Sequence, residues 1–140
     1  MLLIATVLLA LTAAAPAGAG SGGAKLQLRK TKVGTILVNS RGFTVYAFTK
    51  DARNRDNCSS ACLRFWPPVA TAGRPIAGPG VRSSLIGTIR LKNGVEQVTY
   101  AGHPLYTYSQ DTRPAETKYI NLLQFGGFWP AMNAAGQEVK

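Results

Sequence analysis

Alternation of apolar and polar side chains with a period of two recurs along this chain and predicts strands rather than helices. Ile36, Leu37 and Val38 run into a turn-like Asn39, Ser40, Arg41 and Gly42, and the alternation resumes through Thr44, Tyr46 and Phe48. Side chains two apart share one face of a strand, so Tyr46 and Phe48 point the same way, as do Tyr106 and Tyr108. A hairpin is expected over residues 85–100, with Lys92, Asn93 and Gly94 as its turn, because Asn-Gly accommodates the positive φ angles of tight hairpins. Residues 98–100 and 105–108 flank Ala101 and Gly102, with Pro104 at a strand start, where a missing N–H is tolerated. Residues 129–132, a turn ending at Gly136 and a short Glu138, Val139 tail repeat the theme. Beyond the first nineteen residues, no stretch of ten or more carries a helical period.

The pattern is written twice. Residues 42–51 and 102–111 align without a gap at an offset of 60, with Gly, Tyr and Asp identical at Gly42/Gly102, Tyr46/Tyr106 and Asp51/Asp111. Downstream, Phe65, Trp66 and Pro67 are echoed by Phe128, Trp129 and Pro130 at an offset of 63. Tryptophan occurs only at these two places, so the echo marks a duplication. A lone hairpin cannot bury both faces, whereas two copies can pack their aromatic faces together. The expected fold is all-β: a compact antiparallel sandwich or small barrel built from two hairpin-containing copies about a pseudo-twofold axis. The copies span about 34–80 and 81–140 of a single domain, 34–140, and meet across an irregular Gly- and Pro-rich connector at 69–80.

The amino-terminal segment changes the compartment. Residues 1–19 are apolar, lack charge and end in Ala17, Gly18 and Ala19, the small-residue pattern that signal peptidase accepts. The apolar run falls short of the roughly 20 residues of a membrane helix, and Pro16 interrupts it. A cleaved signal peptide is expected, with a retained anchor as the alternative and no transmembrane segment after cleavage. Both cysteines lie far from the cleavage site, so lipidation is not expected, and the chain is placed as secreted or periplasmic at the cell envelope. Residues 20–33 read as a basic leader or linker carrying Lys25, Arg29, Lys30 and Lys32. The net charge of +10 favours encounter with polyanions, namely anionic envelope polymers or lipid headgroups; export argues against nucleic acid.

Candidate chemistry is sparse. Tyr46, Phe48, Tyr106, Tyr108, Trp66 and Trp129 could line a ligand groove with Asp51 and Asp111 as polar handles. Alternatively the aromatics are core, and each Asp ends its strand by accepting backbone N–H groups in the following turn. Cys58 and Cys62 are four apart, a spacing that one helical turn brings within disulfide range and that differs from redox or zinc Cys-x-x-Cys pairs. In an oxidising compartment a structural disulfide is expected. His103, the sole histidine, sits in a Gly-His-Pro turn as a candidate ligand contact; with Met132 it raises a weak case for copper. Serine-hydrolase, zinc-protease and phosphate-loop motifs are absent, so neither an enzyme nor a bound metal or cofactor is expected. A paired-carboxylate hydrolase would require the twofold to bring Asp51 and Asp111 together.

Tyr46-x-Phe48-x-x-Asp51 and Tyr106-x-Tyr108-x-x-Asp111, with Cys58-x-x-x-Cys62-x-x-x-Trp66 and the terminal Gly-Phe-Trp, resemble a bacterial family. It is the secreted repeat of unknown function, often labelled "lipoprotein with Yx(F/W/Y)xxD motif". The resemblance runs from about Gly34 to the C-terminus and implies export and a repeat architecture, with no established activity. Many members carry a lipidation cysteine that is missing here. The expected function is a non-catalytic envelope or extracellular module binding an anionic component; the alternative is an extracytoplasmic redox or metal accessory protein.

Overall fold

The computed structural model describes residues 22–140; the expected signal segment, 1–19, lies outside the described residues. The first hairpin pairs β1 (Lys25–Thr31) antiparallel with β2 (Gly34–Val38), from Gln27 opposite Val38 to Thr31 opposite Gly34. This corrects the reading of 20–33 as a leader. Leu26 and Leu28 alternate with polar neighbours, Leu26 is fully buried, and the basic residues occupy positions around an apolar stripe. After the helix α1 (Ser60–Phe65), β3 (Ile76–Ala77) adds to β1 in parallel, the one parallel pairing among the described strands.

The second copy repeats the scheme. β4 (Ile86–Arg90) and β5 (Glu96–Tyr100) form the expected hairpin, with Gly94 at φ +84° and the Leu91 N–H donating to Val95 O at 2.8 Å. β6 (His103–Pro104) extends this sheet from β5. Two further antiparallel pairs follow, β7 (Leu122–Gln124) with β8 (Gly127–Trp129), and β9 (Ala131–Met132) with β10 (Glu138–Val139). The described residues are nearly all β with no closed barrel, the sandwich form of the expected fold.

The copies do not fold side by side; they exchange strands. Tyr46 and Tyr106 donate their N–H groups to each other's carbonyl at 2.8 and 2.9 Å. Ala47 and Thr49 donate to Pro130 O and Phe128 O of the second copy at 2.9 and 3.0 Å. Thr107 and Ser109 donate to Pro67 O and Phe65 O of the first at 3.0 and 2.8 Å. Each tyrosine-bearing segment is thus paired by the closing Phe-Trp-Pro segment of the other copy, and the offsets of 60 and 63 become one twofold-related set of bonds. Proline suits these positions because only its carbonyl is required.

An aliphatic cluster including Leu26, Leu37, Val45, Val98, Leu105 and Met132 lies between the hairpins. A separate aromatic cluster fills the centre where the copies cross.

Candidate functional site

The crossing of strands also crosses the repeated motif. Tyr46 Oη donates to Asp111 Oδ2 at 2.8 Å, and Tyr106 Oη donates to Asp51 Oδ2 at 2.7 Å. Each copy's tyrosine therefore satisfies the other copy's aspartate. Asp51 Oδ1 also accepts the Asn57 N–H at 2.7 Å, whereas Asp111 Oδ1 is buried without a hydrogen-bond partner. Burial pushes the Asp51 carboxyl up to about 7, with the charge of Asp56 adding to it and the Asn57 and Tyr106 hydrogen bonds opposing. Burial likewise pushes Asp111 up to about 6, helped by Glu116 and opposed by the Tyr46 hydroxyl. Both tyrosine hydroxyls are held well above the phenol range by burial and by the adjacent carboxylates, so they act as neutral donors. The acidic neighbours felt by the two aspartates are Asp56 and Glu116, an arrangement unlike two carboxyls sharing one proton.

Between these pairs the aromatic rings form one column. Phe48 stacks on Trp129 at 4.1 Å, Trp129 on Trp66 at 3.9 Å, and Trp66 on Tyr108 at 3.9 Å. Tyr46 meets Trp66 edge-on and Tyr106 meets Trp129 edge-on, each at 5.1 Å. The approximate twofold passes between the two indoles. Gln124 serves both: its Oε1 accepts Trp66 Nε1–H at 2.8 Å and its carbonyl accepts Trp129 Nε1–H at 3.1 Å. No motif singles out Gln124; at the offset of 63 its first-copy counterpart is Ala61, so the repeat does not mark it. Tyr46, Tyr106, Trp66 and Trp129 have no solvent exposure and line no open groove. Of the motif residues, Asp111 and Tyr108 reach a surface depression that they line with Arg41 and Phe43, and Phe48 reaches another beside Lys50 and Phe125.

The remaining sequence candidates are dispersed. Cys58 and Cys62 form a disulfide with Cα atoms 5.3 Å apart, and no cysteine among the described residues is free. It braces the start of α1, where Ser59 Oγ caps the helix by accepting the Cys62 N–H at 3.2 Å. Met132 packs within the aliphatic cluster, while His103 is half-buried in β6 opposite Tyr100. The described residues contain no cluster of three His, Cys, Asp or Glu side chains suited to a metal ion.

Charge is distributed unevenly. Glu96, Glu116 and Glu138 pair with Arg90, Arg113 and Lys140 at 2.9, 3.0 and 3.7 Å. The Arg113 hydrogen bond, with the Lys118 N–H, holds Glu116 below the usual carboxylate range. Asp51 and Asp111 are engaged by the tyrosines, and Asp56 accepts the Cys58 N–H at 2.7 Å. All six acidic and all sixteen basic side chains lie among the described residues; there each acid has an internal partner, while three of the basic ones are ion-paired and thirteen are without a carboxylate.

No described helix is long and apolar enough to cross a membrane. Neither the curated proteins nor the solved structures provide a match. A family model does, once on each copy, over residues 27–70 and 87–133. Both matched stretches run from a hairpin through the tyrosine motif to the Phe-Trp-Pro segment, the unit that the strand exchange defines. The chain belongs to the family described as secreted repeat of unknown function.

Proposed function

We propose that this protein is a non-catalytic binding module of the cell envelope whose cationic surface takes anionic groups carried on envelope polymers or lipid headgroups. The observation that carries the reading is the distribution of charge: the acids are consumed internally, and thirteen cations have no carboxylate partner. The net charge of +10 counts Asp51 and Asp111 as ionised, so their raised affinity for protons makes the surface field more positive in mildly acidic surroundings. The repeated aromatic motif supports the same division of labour, because its rings are spent on joining the copies and leave recognition to the exterior.

Binding of the protein to long-chain polyphosphate and to phosphatidylglycerol vesicles, titrated with salt, tests this. Association at low ionic strength that weakens steeply as salt is raised is the expected result. No association with either probe at low salt, or association indifferent to salt, overturns it.

A further inference from the structure

The two copies differ most between the aspartate and the closing Phe-Trp-Pro segment. There the first copy carries the disulfide and α1, and the second carries the β7–β8 hairpin. The inner face of that hairpin is committed: Trp129 is fully buried, Gln124 holds both indoles, and a Cβ on Gly127 would lie 2.6 Å from the Phe48 ring. Its outer face is not. Leu123 and Phe128 are cross-strand partners there and are 63% and 44% exposed. At the turn, Phe125 and Gly126 both have positive φ, 54° and 76°. Such two-residue turns favour Asn-Gly, and a bulky aromatic at positive φ is conformationally costly. The Phe125 ring centroid lies 5.8 Å from that of Phe65, itself 41% exposed.

Cations flank the same element. A Cβ on Gly126 would lie 3.3 Å from Lys50 Nζ, placing that ammonium against the turn. Lys118 Nζ lies 5.4 Å over the Tyr119 ring just before β7, and Arg64 adjoins Phe65. Outward Leu and Phe side chains bordered by unpaired cations match the chemistry of an anionic lipid interface, which has apolar depth beneath negative headgroups.

We infer that the β7–β8 hairpin docks the protein on anionic lipid, with Leu123 and Phe128 entering the interface and Lys50, Arg64 and Lys118 at the headgroups. The inference rests on the polyanion reading and narrows it to one source of negative charge. Leu123→Ser with Phe128→Ser, both at outward positions, removes the apolar contact; an unchanged thermal midpoint verifies the fold. The double variant is expected to bind phosphatidylglycerol vesicles about tenfold or more weakly than the parent, since two large side chains no longer leave water. Its binding to polyphosphate stays unchanged. Vesicle binding equal to the parent's overturns the inference. Parental binding to polyphosphate but not to vesicles overturns it while leaving the polyanion reading intact, and binding to neither overturns both. A parental dimer that the double variant dissociates overturns it as well, by showing that a second copy covers the hairpin.

Discussion

Burial of the carboxyls in the crossed tyrosine–aspartate pairs makes stability depend on pH in an unusual direction. A carboxyl whose affinity for protons is raised on folding makes the native state bind more protons than the unfolded state. For Asp51, raised from 3.8 to about 7, that excess spans about pH 4 to 7, so its contribution to stability falls as pH rises through this window. The full interval corresponds to about 4 kcal/mol at 1.36 kcal/mol per pH unit. Asp51 keeps partial contact with solvent, and screening brings the working figure to about 2 kcal/mol.

Asp51→Asn isolates this term. The amide oxygen can accept the Asn57 N–H while the amide nitrogen donates to Tyr106 Oη, so the tyrosine O–H loses its carboxylate acceptor at every pH. That loss, about 1–2 kcal/mol, displaces the profile without tilting it. Urea unfolding followed by tryptophan fluorescence, at intervals from pH 4 to 8, gives the parent-minus-variant stability at each pH. The difference is expected to shrink by about 2 kcal/mol toward pH 8. A difference that is flat to within about 0.5 kcal/mol, or that grows with pH, refutes the reasoning. Tyr106→Phe is expected to steepen the parental decline, because the hydroxyl favours the ionised carboxylate.

Three further outcomes follow from the same geometry. Replacing Cys58 and Cys62 with Ser reopens a short loop and lowers the unfolding free energy by about 2 kcal/mol in urea titrations. Trp129→Ala removes the ring between Phe48 and Trp66 and lowers it by about 3–5 kcal/mol, read from the same titration. Residues 22–80 and 81–140 produced separately are expected to lack cooperative unfolding and to regain it when mixed, as followed by circular dichroism. Cooperative unfolding of either half as a monomer would contradict the strand exchange.

The β4–β5 hairpin, the copy register and the disulfide were legible because each rests on local chemistry: Asn-Gly at 93–94, the gapless offset of 60, and cysteines one helical turn apart. The exchange between copies was not legible. A tyrosine five residues before an aspartate reads the same whether its hydroxyl reaches that aspartate or the equivalent one across the twofold. The sequence reading foresaw backbone N–H groups on the aspartates, and Asn57 supplies one to Asp51, but the tyrosine hydroxyls on both went unforeseen. β1 was hidden for a different reason. Three of its seven residues are Lys or Arg, and only the alternation of Leu26 and Leu28 betrays a strand with one buried face.

The exchange also accounts for why the repeated motif is a poor guide to activity. A duplicated chain whose copies pair through Tyr, Phe or Tyr, Trp and Asp must keep those types in both halves, since each residue completes a contact begun by its counterpart. Such residues are fixed by mutual packing and become buried. Recognition then has to use positions freed from that symmetry, which here means the outward side chains and the segments lacking a counterpart. Of those segments, the first-copy loop is closed by its disulfide with Cys62 turned into the aromatic core. The β7–β8 hairpin instead holds both tryptophans from within through Gln124 while presenting Leu123 and Phe128 outward. Mutating its outer face therefore tests recognition, and mutating its inner face tests the fold.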